Sequence, residues 1–176
     1  YGGFVDEVVM RLVDWSLAMP FIMIALAAVV VFGASLSLIL VLLVVFGWSA
    51  FARQIRAEAL QIKQRDFVAL ARVAGASDLR IMFKHIFPGV LNTMMVVATL
   101  RVGSLILTES ILSFLGAGVP APTPTWGTMV ADGRAYMSTA WWLSFFPGMA
   151  IFITVMAFNF IGDWFRDRLD PRLRQL

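Results

Sequence analysis

Four polar residues in an otherwise apolar stretch, Arg101, Ser104, Thr108 and Glu109, are the most chemically capable group in this 176-residue sequence. On a helix, Ser104 and Thr108 follow Arg101 at i+3 and i+7 and share its face, with Glu109 at the flank. A guanidinium, two hydroxyls and a carboxylate in that order can guide a polar solute. They are not a catalytic set: there is no pair of acids inside a span, no histidine cluster and no Ser/His arrangement. The sequence has one histidine and no cysteine. That excludes a disulfide framework, a cysteine nucleophile and a zinc site built on His and Cys. It also lacks the G-x-x-x-x-G-K-[ST] phosphate loop, so it does not bind ATP in that manner.

Arg101 stands about 13 residues into its helix, roughly 20 Å at 1.5 Å per residue, near the midplane of a bilayer or beyond it. A charge there is costly against lipid and must face protein or water. Two readings stay open. The four residues line a translocation path, or Arg101 pairs with an acid of another subunit and fixes packing.

The second constellation surrounds Gly75. Asp66 is expected to cap a helix over Phe67 to Ala74, and Gly75 to make a turn that needs φ > 0. Ser77 with Asp78 is expected to cap a second helix from Leu79 to Phe87, with Pro88 marking entry to the next span. Phe67, Val68, Leu70 and Val73 stand beside Arg65, Arg72 and Arg80. The bland alternative is a solvated loop with ordinary caps. A loop that only returned the chain could be far shorter, and exposed apolar residues on capped helices point to a docking surface. His85 reads as a loop or interface histidine near the lipid headgroups.

The elements that must position these residues follow from composition. The chain is 60% hydrophobic and 14% charged, against about one-quarter charged in a soluble domain. This is an all-α integral membrane protein. A helical span needs about 20 apolar residues, and four spans are predicted, at about 8–32, 37–53, 87–112 and 141–163. Between them lie a loop over 54–86 and a segment over 113–140. Asn159 is expected to pack between helices, and the ten methionines are most simply flexible packing.

Charge fixes the expected direction. Of the 14 Lys and Arg, Arg11, seven residues of 53–84 (Arg53, Arg56, Lys63, Arg65, Arg72, Arg80, Lys84), and Arg166, Arg168, Arg172 and Arg174 lie on one side. Only Arg134 lies on the other, and Arg101 is inside a span. The positive-inside rule puts the chain start, the 54–86 loop and the C-terminus in the cytoplasm, and 113–140 outside. Trp126, Trp141 and Trp142 are then expected near the outer interface, and Trp164 near the inner one. The outer segment has a proline-rich stretch, Pro120 to Trp126, and a short helix expected near Met129 to Tyr136. Trp126, Asp132 and Arg134 are its candidates for contact with an extracytoplasmic partner, a plain reinforced loop being the alternative. Asp163, Arg166, Asp167 and Asp170 read as a solvated end. Tyr1-Gly2-Gly3 is neither an initiator nor a signal peptide, so the sequence is expected to start inside a longer protein.

The stretch Phe67-Val68-Ala69-Leu70-Ala71-Arg72-Val73-Ala74-Gly75-Ala76-Ser77-Asp78, followed by Ile81, Ile86 and Pro88, resembles the "EAA" loop of binding-protein-dependent ABC permeases. It departs from that motif at Ala69, where the family often has Glu, and at Leu70, where it often has Ala. Further stretches extend the resemblance along nearly the whole chain: Tyr1 to Asp6, Arg11 to Asp14, Ser113 to Gly116, Pro122 to Gly127, Phe146 to Gly148, Asn159 to Asp163 and Leu169 to Arg172. They are similar to the C-type subunit of the dipeptide/oligopeptide subfamily.

The resemblance implies a type I ABC importer transmembrane domain, with four of an expected six spans present. It implies a multi-pass, non-enzymatic subunit of a bacterial or archaeal cytoplasmic membrane that moves dipeptides or oligopeptides inward. A nickel chelate, glutathione or another small peptide-like solute is the alternative cargo. Implied partners are a sister permease in a heterodimer, two ATPase subunits and an extracytoplasmic solute-binding protein, with membrane lipids around them and no nucleic acid. This chain would bind no cofactor; ATP and Mg belong to the partner subunits. Asp66, Phe67, Leu70, Arg72, Gly75, Ala76, Ser77 and Asp78 would contact the ATPase. Because the subfamily usually carries a neutral residue at the position of Arg101, the resemblance gives that residue no general role.

Overall fold

In lipid a backbone finds no outside hydrogen-bond partner, so apolar runs must satisfy their own N–H and C=O groups as helices. The computed structural model describes residues 2–169 and contains only helices and their connections among the described residues. In chain order these are α1 (Gly3–Ala18), α2 (Phe21–Phe32), α3 (Leu36–Lys63), α4 (Asp66–Val73), α5 (Asp78–Ile81), a π-helical turn (Met82–Ile86), α6 (Phe87–Phe114), α7 (Trp126–Gly133), a 3₁₀ turn (Arg134–Tyr136) and α8 (Trp142–Leu169). Among the described residues three stretches are long and apolar enough to cross a membrane: Leu36–Lys63, Asp78–Phe114 and Trp142–Arg168. The broken pair α1 and α2 makes a fourth if it counts as one span.

Four local expectations need correction in the first half of the chain. The run over 8–32 is not one helix: it breaks at Met19-Pro20. Proline lacks an N–H and disfavours the helical region for the residue before it. The Pro20 carbonyl then restarts the helix by accepting from the N–H groups of Met23 and Ile24 at 3.0 and 3.3 Å. Second, α3 does not stop near residue 53. Strong helix formers such as Ala57, Glu58, Ala59, Leu60 and Gln61 carry it to Lys63, so the first ten residues of the expected 54–86 loop are helix.

Third, the expected helix Leu79–Phe87 is not separate, and Pro88 does not mark an entry. Residues 78–114 form one continuous helical stretch. The turn before Pro88 is π-helical, with the Phe87 N–H donating to the Met82 carbonyl. In a tight α-turn the proline ring would crowd the carbonyl of Lys84; a wider turn relieves it. Fourth, Asp66 is the first residue of α4 rather than its cap. Arg65 holds the cap position with no side-chain hydrogen bond, and Asp66 instead sets a negative charge at the helix's positive end. Ser77 does cap α5, its Oγ accepting from the Arg80 N–H at 3.4 Å.

The described chain divides into two compact units. One comprises residues up to 18, 48–98 and those from 161 onward. Its core is Ile62, Val68, Ile81 and Val90, one side chain each from α3, α4, α5 and α6, with Ile55, Ala71, Ala76 and Ile86 packed around them. Gly89 permits this packing: a Cβ there would come within 2.7 Å of Ile62 Cδ1. In the same unit α1 is tied to α3. Val13 is fully buried, Ser16 donates to Ser49 at 3.3 Å, Arg53 reaches Asp14 at 2.5 Å, and Arg56 grips both oxygens of Asp6 at 2.7 and 2.6 Å.

The other unit comprises 19–47 and 99–160. Its core joins Ala25, Ile39, Leu112 and Ala117. Here α6 ends on Gly116, at φ +81°. The Ala117 N–H reaches back to the Leu112 carbonyl at 2.8 Å and the Gly116 N–H to the Ser113 carbonyl at 3.1 Å. This is a Schellman ending whose two apolar members, Leu112 and Ala117, are both buried. The short α7 starts at Trp126 rather than near Met129, because Thr125 and Thr128 form a reciprocal capping box. It lies backbone-close to α6: a Cβ on Gly127 would meet the Ser110 carbonyl oxygen at 2.4 Å. Ser144 ties the start of α8 to α7 by donating to the Val130 carbonyl at 3.0 Å.

A methyl group at Gly127 has no room against a backbone carbonyl that cannot rotate away. Gly127→Ala is expected to cost about 1–3 kcal/mol by overpacking. The check is a lower thermal-aggregation midpoint of the purified protein in detergent; an unchanged midpoint would contradict the close approach.

Candidate functional site

The most unusual surface is the outer side of α4. Eight residues cannot hold a helix in water by propensity alone, so packing must hold this one. Val68, at 1% exposure, is its anchor. The opposite side presents Phe67, Leu70 and Val73, the last two 68% and 87% exposed, and Leu79 of α5 continues the patch. Asp66, Arg72, Asp78 and Arg80 rim it and are exposed. Among the described residues neither Arg72 nor Arg80 forms a salt bridge. A compact apolar patch with a charged rim is the composition of a docking face. The His85 ring lies 6.2 Å from that of Phe67, so the only histidine packs beside this face.

Gly75 makes the sharp exit from α4. Its φ is +78°. Its N–H donates to Arg72 O, and the Ala76 N–H to Ala71 O, both at 3.0 Å. This too is a Schellman ending, with Ala71 and Ala76 both against the core. A Cβ at Gly75 would meet nothing within 4 Å, so the demand is on backbone conformation and not on space. The structure therefore gathers Asp66, Phe67, Leu70, Arg72, Gly75, Ala76, Ser77 and Asp78 on one helix–turn–helix, with Ala71 and Ala76 turned inward.

The polar residues of α6 lie along one helix. The Ser104 hydroxyl donates to the Arg101 carbonyl at 2.9 Å and the Thr108 hydroxyl to the Ser104 carbonyl at 2.8 Å. Both hydroxyl protons are used by the helix itself, which leaves oxygen lone pairs free as acceptors. Glu109 accepts from the buried Ser113 hydroxyl at 2.5 Å, a partner at i+4 that the sequence reading did not include. Arg101 is half-buried and has no ion pair among the described residues. Asn159 of α8 stands against α6 at Gly103, where a Cβ would come 3.4 Å from its Oδ1. That is the small-residue contact by which spanning helices approach.

Trp126 and Asp132 lie on α7, and Arg134 on the 3₁₀ turn after it; all three are exposed. The Arg134 guanidinium sits 5.8 Å from the centre of the Phe114 ring, a cation–π contact that holds it to the end of α6. Asp163, Arg166 and Asp167 are exposed near the end of α8, where Arg168 covers the Trp164 ring at 5.5 Å. Tyr1, Asp170, Pro171, Arg172 and Arg174, also singled out in the sequence, lie outside the described residues.

The sequence reading missed the pairs Asp6–Arg56 and Asp14–Arg53. A signal was available: Asp6 and Asp14 fall two turns apart on α1, and Arg53 and Arg56 one turn apart on α3. What the sequence did not contain was the adjacency of segments 39 and 50 residues apart.

A family model described as "Binding-protein-dependent transport system inner membrane component" matches residues 1–175. Over 174 residues, 99% of its length, the chain is 42% identical to the glutathione transport system permease protein GsiD of Escherichia coli O6:K15:H31 (strain 536 / UPEC) and to that of Shigella boydii serotype 4 (strain Sb227). It is 41% identical, over the same length, to GsiD of Shigella dysenteriae serotype 1 (strain Sd197). The chain spans 57% of the length of these curated relatives.

The two sides of α4 separate by substitution. Val68→Ala removes two buried methyl groups and is expected to destabilise the protein by about 1–3 kcal/mol. Leu70→Ala, on the exposed side, is expected to leave the thermal midpoint unchanged. Equal effects in a melt of the purified protein would contradict the assigned orientation.

Proposed function

The chain belongs to the family of binding-protein-dependent transport system inner membrane components, and we propose that it is the part of an ATP-driven importer through which a small peptide-like solute crosses the membrane. Its fold is the type I ABC importer membrane domain. The observation that carries the reading is the outer face of α4: apolar, exposed, rimmed by charge, and anchored through Val68 to the helices that cross the membrane.

In this reading α4 sits in a groove of an ATPase subunit. Charge asymmetry supports a cytoplasmic place for it, with α7 and Arg134 on the far side. ATP and Mg reside on the ATPase, since this sequence has no phosphate loop. Ala69 offers no carboxylate to the partner. Docking then rests on Phe67, Leu70 and Val73, on basic residues such as Arg72, and on the shape set at Gly75. When the ATPases close, α4 moves as a rigid piece. Its push enters α6 directly, because residues 78–114 form one stretch, and enters α3 through Ile62. The permease with its sister subunit switches between two states, biased by the partner's differential affinity for ATP.

Arg101, Ser104, Thr108 and Glu109 would line the solute's route, and Trp126, Asp132 and Arg134 would meet the solute-binding protein. The cargo proposed is a small peptide. The relatives named for glutathione transport support a tripeptide-sized solute as readily as a dipeptide. The assay is uptake of labelled dipeptides, oligopeptides and glutathione by the complete complex in proteoliposomes, with ATP inside the compartment where the ATPase faces. Uptake of one of them that depends on both ATP and binding protein is the expected result; uptake independent of ATP would overturn the reading.

Two variants probe its parts. A side chain at φ > 0 costs roughly 1–2 kcal/mol for most residues and more for a β-branched one, while Asn tolerates the region. Gly75→Val is therefore expected to cut uptake about tenfold or more and Gly75→Asn only slightly; normal uptake by Gly75→Val in an assembled complex would remove the turn from the route. Arg101→Leu is expected to alter uptake with assembly intact; loss of assembly instead would assign Arg101 to packing.

A further inference from the structure

The strap between α1 and α3 has no place in the docking contact, the solute route or the core, yet it is the most strongly made polar contact among the described residues. We infer that Asp6 and Arg56, assisted by Asp14 and Arg53, form a clasp that makes α1 part of the same moving body as the docking helix. Arg56 and Asp6 are then positioning residues for the coupling of ATP hydrolysis to transport. This deepens the importer reading and rests on it.

The geometry is specific. Arg56 Nε and one terminal nitrogen donate to the two oxygens of Asp6 at 2.7 and 2.6 Å. Paired parallel bonds of this kind constrain orientation as well as distance. Both side chains are half-shielded, at 39% and 31% exposure. Single exposed ion pairs contribute little, but bidentate and networked ones are the exception. The Asp6 pair is bidentate, and a second pair stands beside it: Arg53 and Arg56, one turn apart on α3, take Asp14 and Asp6 on α1. Ser16 and Ser49, both buried, extend the same seam. The pairs 6–56, 14–53 and 16–49 run in opposite chain directions, so α1 lies antiparallel along the C-terminal half of α3.

That half of α3 ends at Ile62, inside the cluster that anchors α4 through Val68. A displacement of α4 therefore reaches α1 through two rigid connections: the apolar cluster and then the clasp. Helix α1 has little else to hold it there. Val13 and Ser16 are its only buried residues, and Phe4, Leu12 and Trp15 are exposed at 80%, 54% and 60%. The two carboxylates also border an open cavity of about 620 Å³, with Glu7 and Arg11 on its wall, so water reaches the clasp and the desolvation penalty of the pairing is small.

The experiment uses the complete complex in proteoliposomes and reads solute moved per ATP hydrolysed. Asp6→Arg and Arg56→Asp, each alone, are expected to lower that ratio about tenfold, within the usual range of coupling between sites, with the ATPase still bound. The exchanged double variant, Asp6→Arg with Arg56→Asp, is expected to return it to within about twofold of the wild type. Unchanged ratios in the single variants, or an exchange that restores nothing, would overturn the clasp. A second measurement does not depend on those variants. The chain has no cysteine, so spin labels at Phe4→Cys on α1 and Gln64→Cys just before α4 report one distance. One moving body predicts the same distance with and without ATP; a shift of several ångströms would overturn the inference. A wild-type complex that moves no solute would instead overturn the importer reading itself.

Discussion

Val68 is the fixed point of the half of the chain that bears the exposed apolar face of α4. Its side chain is 1% exposed, in contact with a cluster drawn from three other helices. A helix of eight residues is too short to persist alone, so its orientation is dictated by which side chain it buries. Once Val68 points in, Leu70 and Val73 must point out, since helical geometry sets residues two and five positions away on other faces. The apolar patch is thus a consequence of packing, held in place by structure that also crosses the membrane. Gly75 closes the arrangement by turning the chain so that Ala76 returns to the same cluster and α5 begins under its Ser77 cap.

Residues 78–114 continue from this arrangement as one helical stretch. A wide turn that keeps hydrogen bonding through 82–86 carries the chain past the proline without interruption. Further along the same stretch, Ser104 and Thr108 are satisfied by their own helix, so they need no partner in order to stand in an apolar environment. Glu109 is held by Ser113. Neither Arg101 nor Glu109 has an ion-pair partner among the described residues.

What was legible in the sequence was whatever depends on local pattern. The spans followed from apolar runs, the turn at Gly75 from a glycine between two helical stretches, and the cap at Ser77 from its position before Asp78. Helix ends were less legible. Arg53 and Arg56 look like the end of a span, yet charged and amide side chains are good helix formers and α3 runs through them to Lys63. Met19-Pro20 interrupts a run that hydropathy reads as continuous. Contacts between distant segments were not legible at all. Nothing local marks Gly127 as the place where α7 meets the α6 backbone, or Asp6 as the partner of Arg56. Those depend on which segments adjoin, and a single sequence states this only through similarity to relatives. The same reasoning limits the polar stripe: spacing put its members on one helix and left open which surface they face.

The account stands on the outer face of α4 being the surface that receives the ATPase. Because the chain has no cysteine, single cysteines placed at Leu70, at Val73 and, as a control on the other unit, at Met137 can each be offered a short thiol-to-amine cross-linker in the complete complex. All three positions are exposed, at 68%, 87% and 55%, so reactivity alone does not separate them. The account predicts an adduct with the ATPase subunit from positions 70 and 73 and none from 137. Absence of that adduct at both α4 positions, in a complex that still hydrolyses ATP and imports solute, would contradict it.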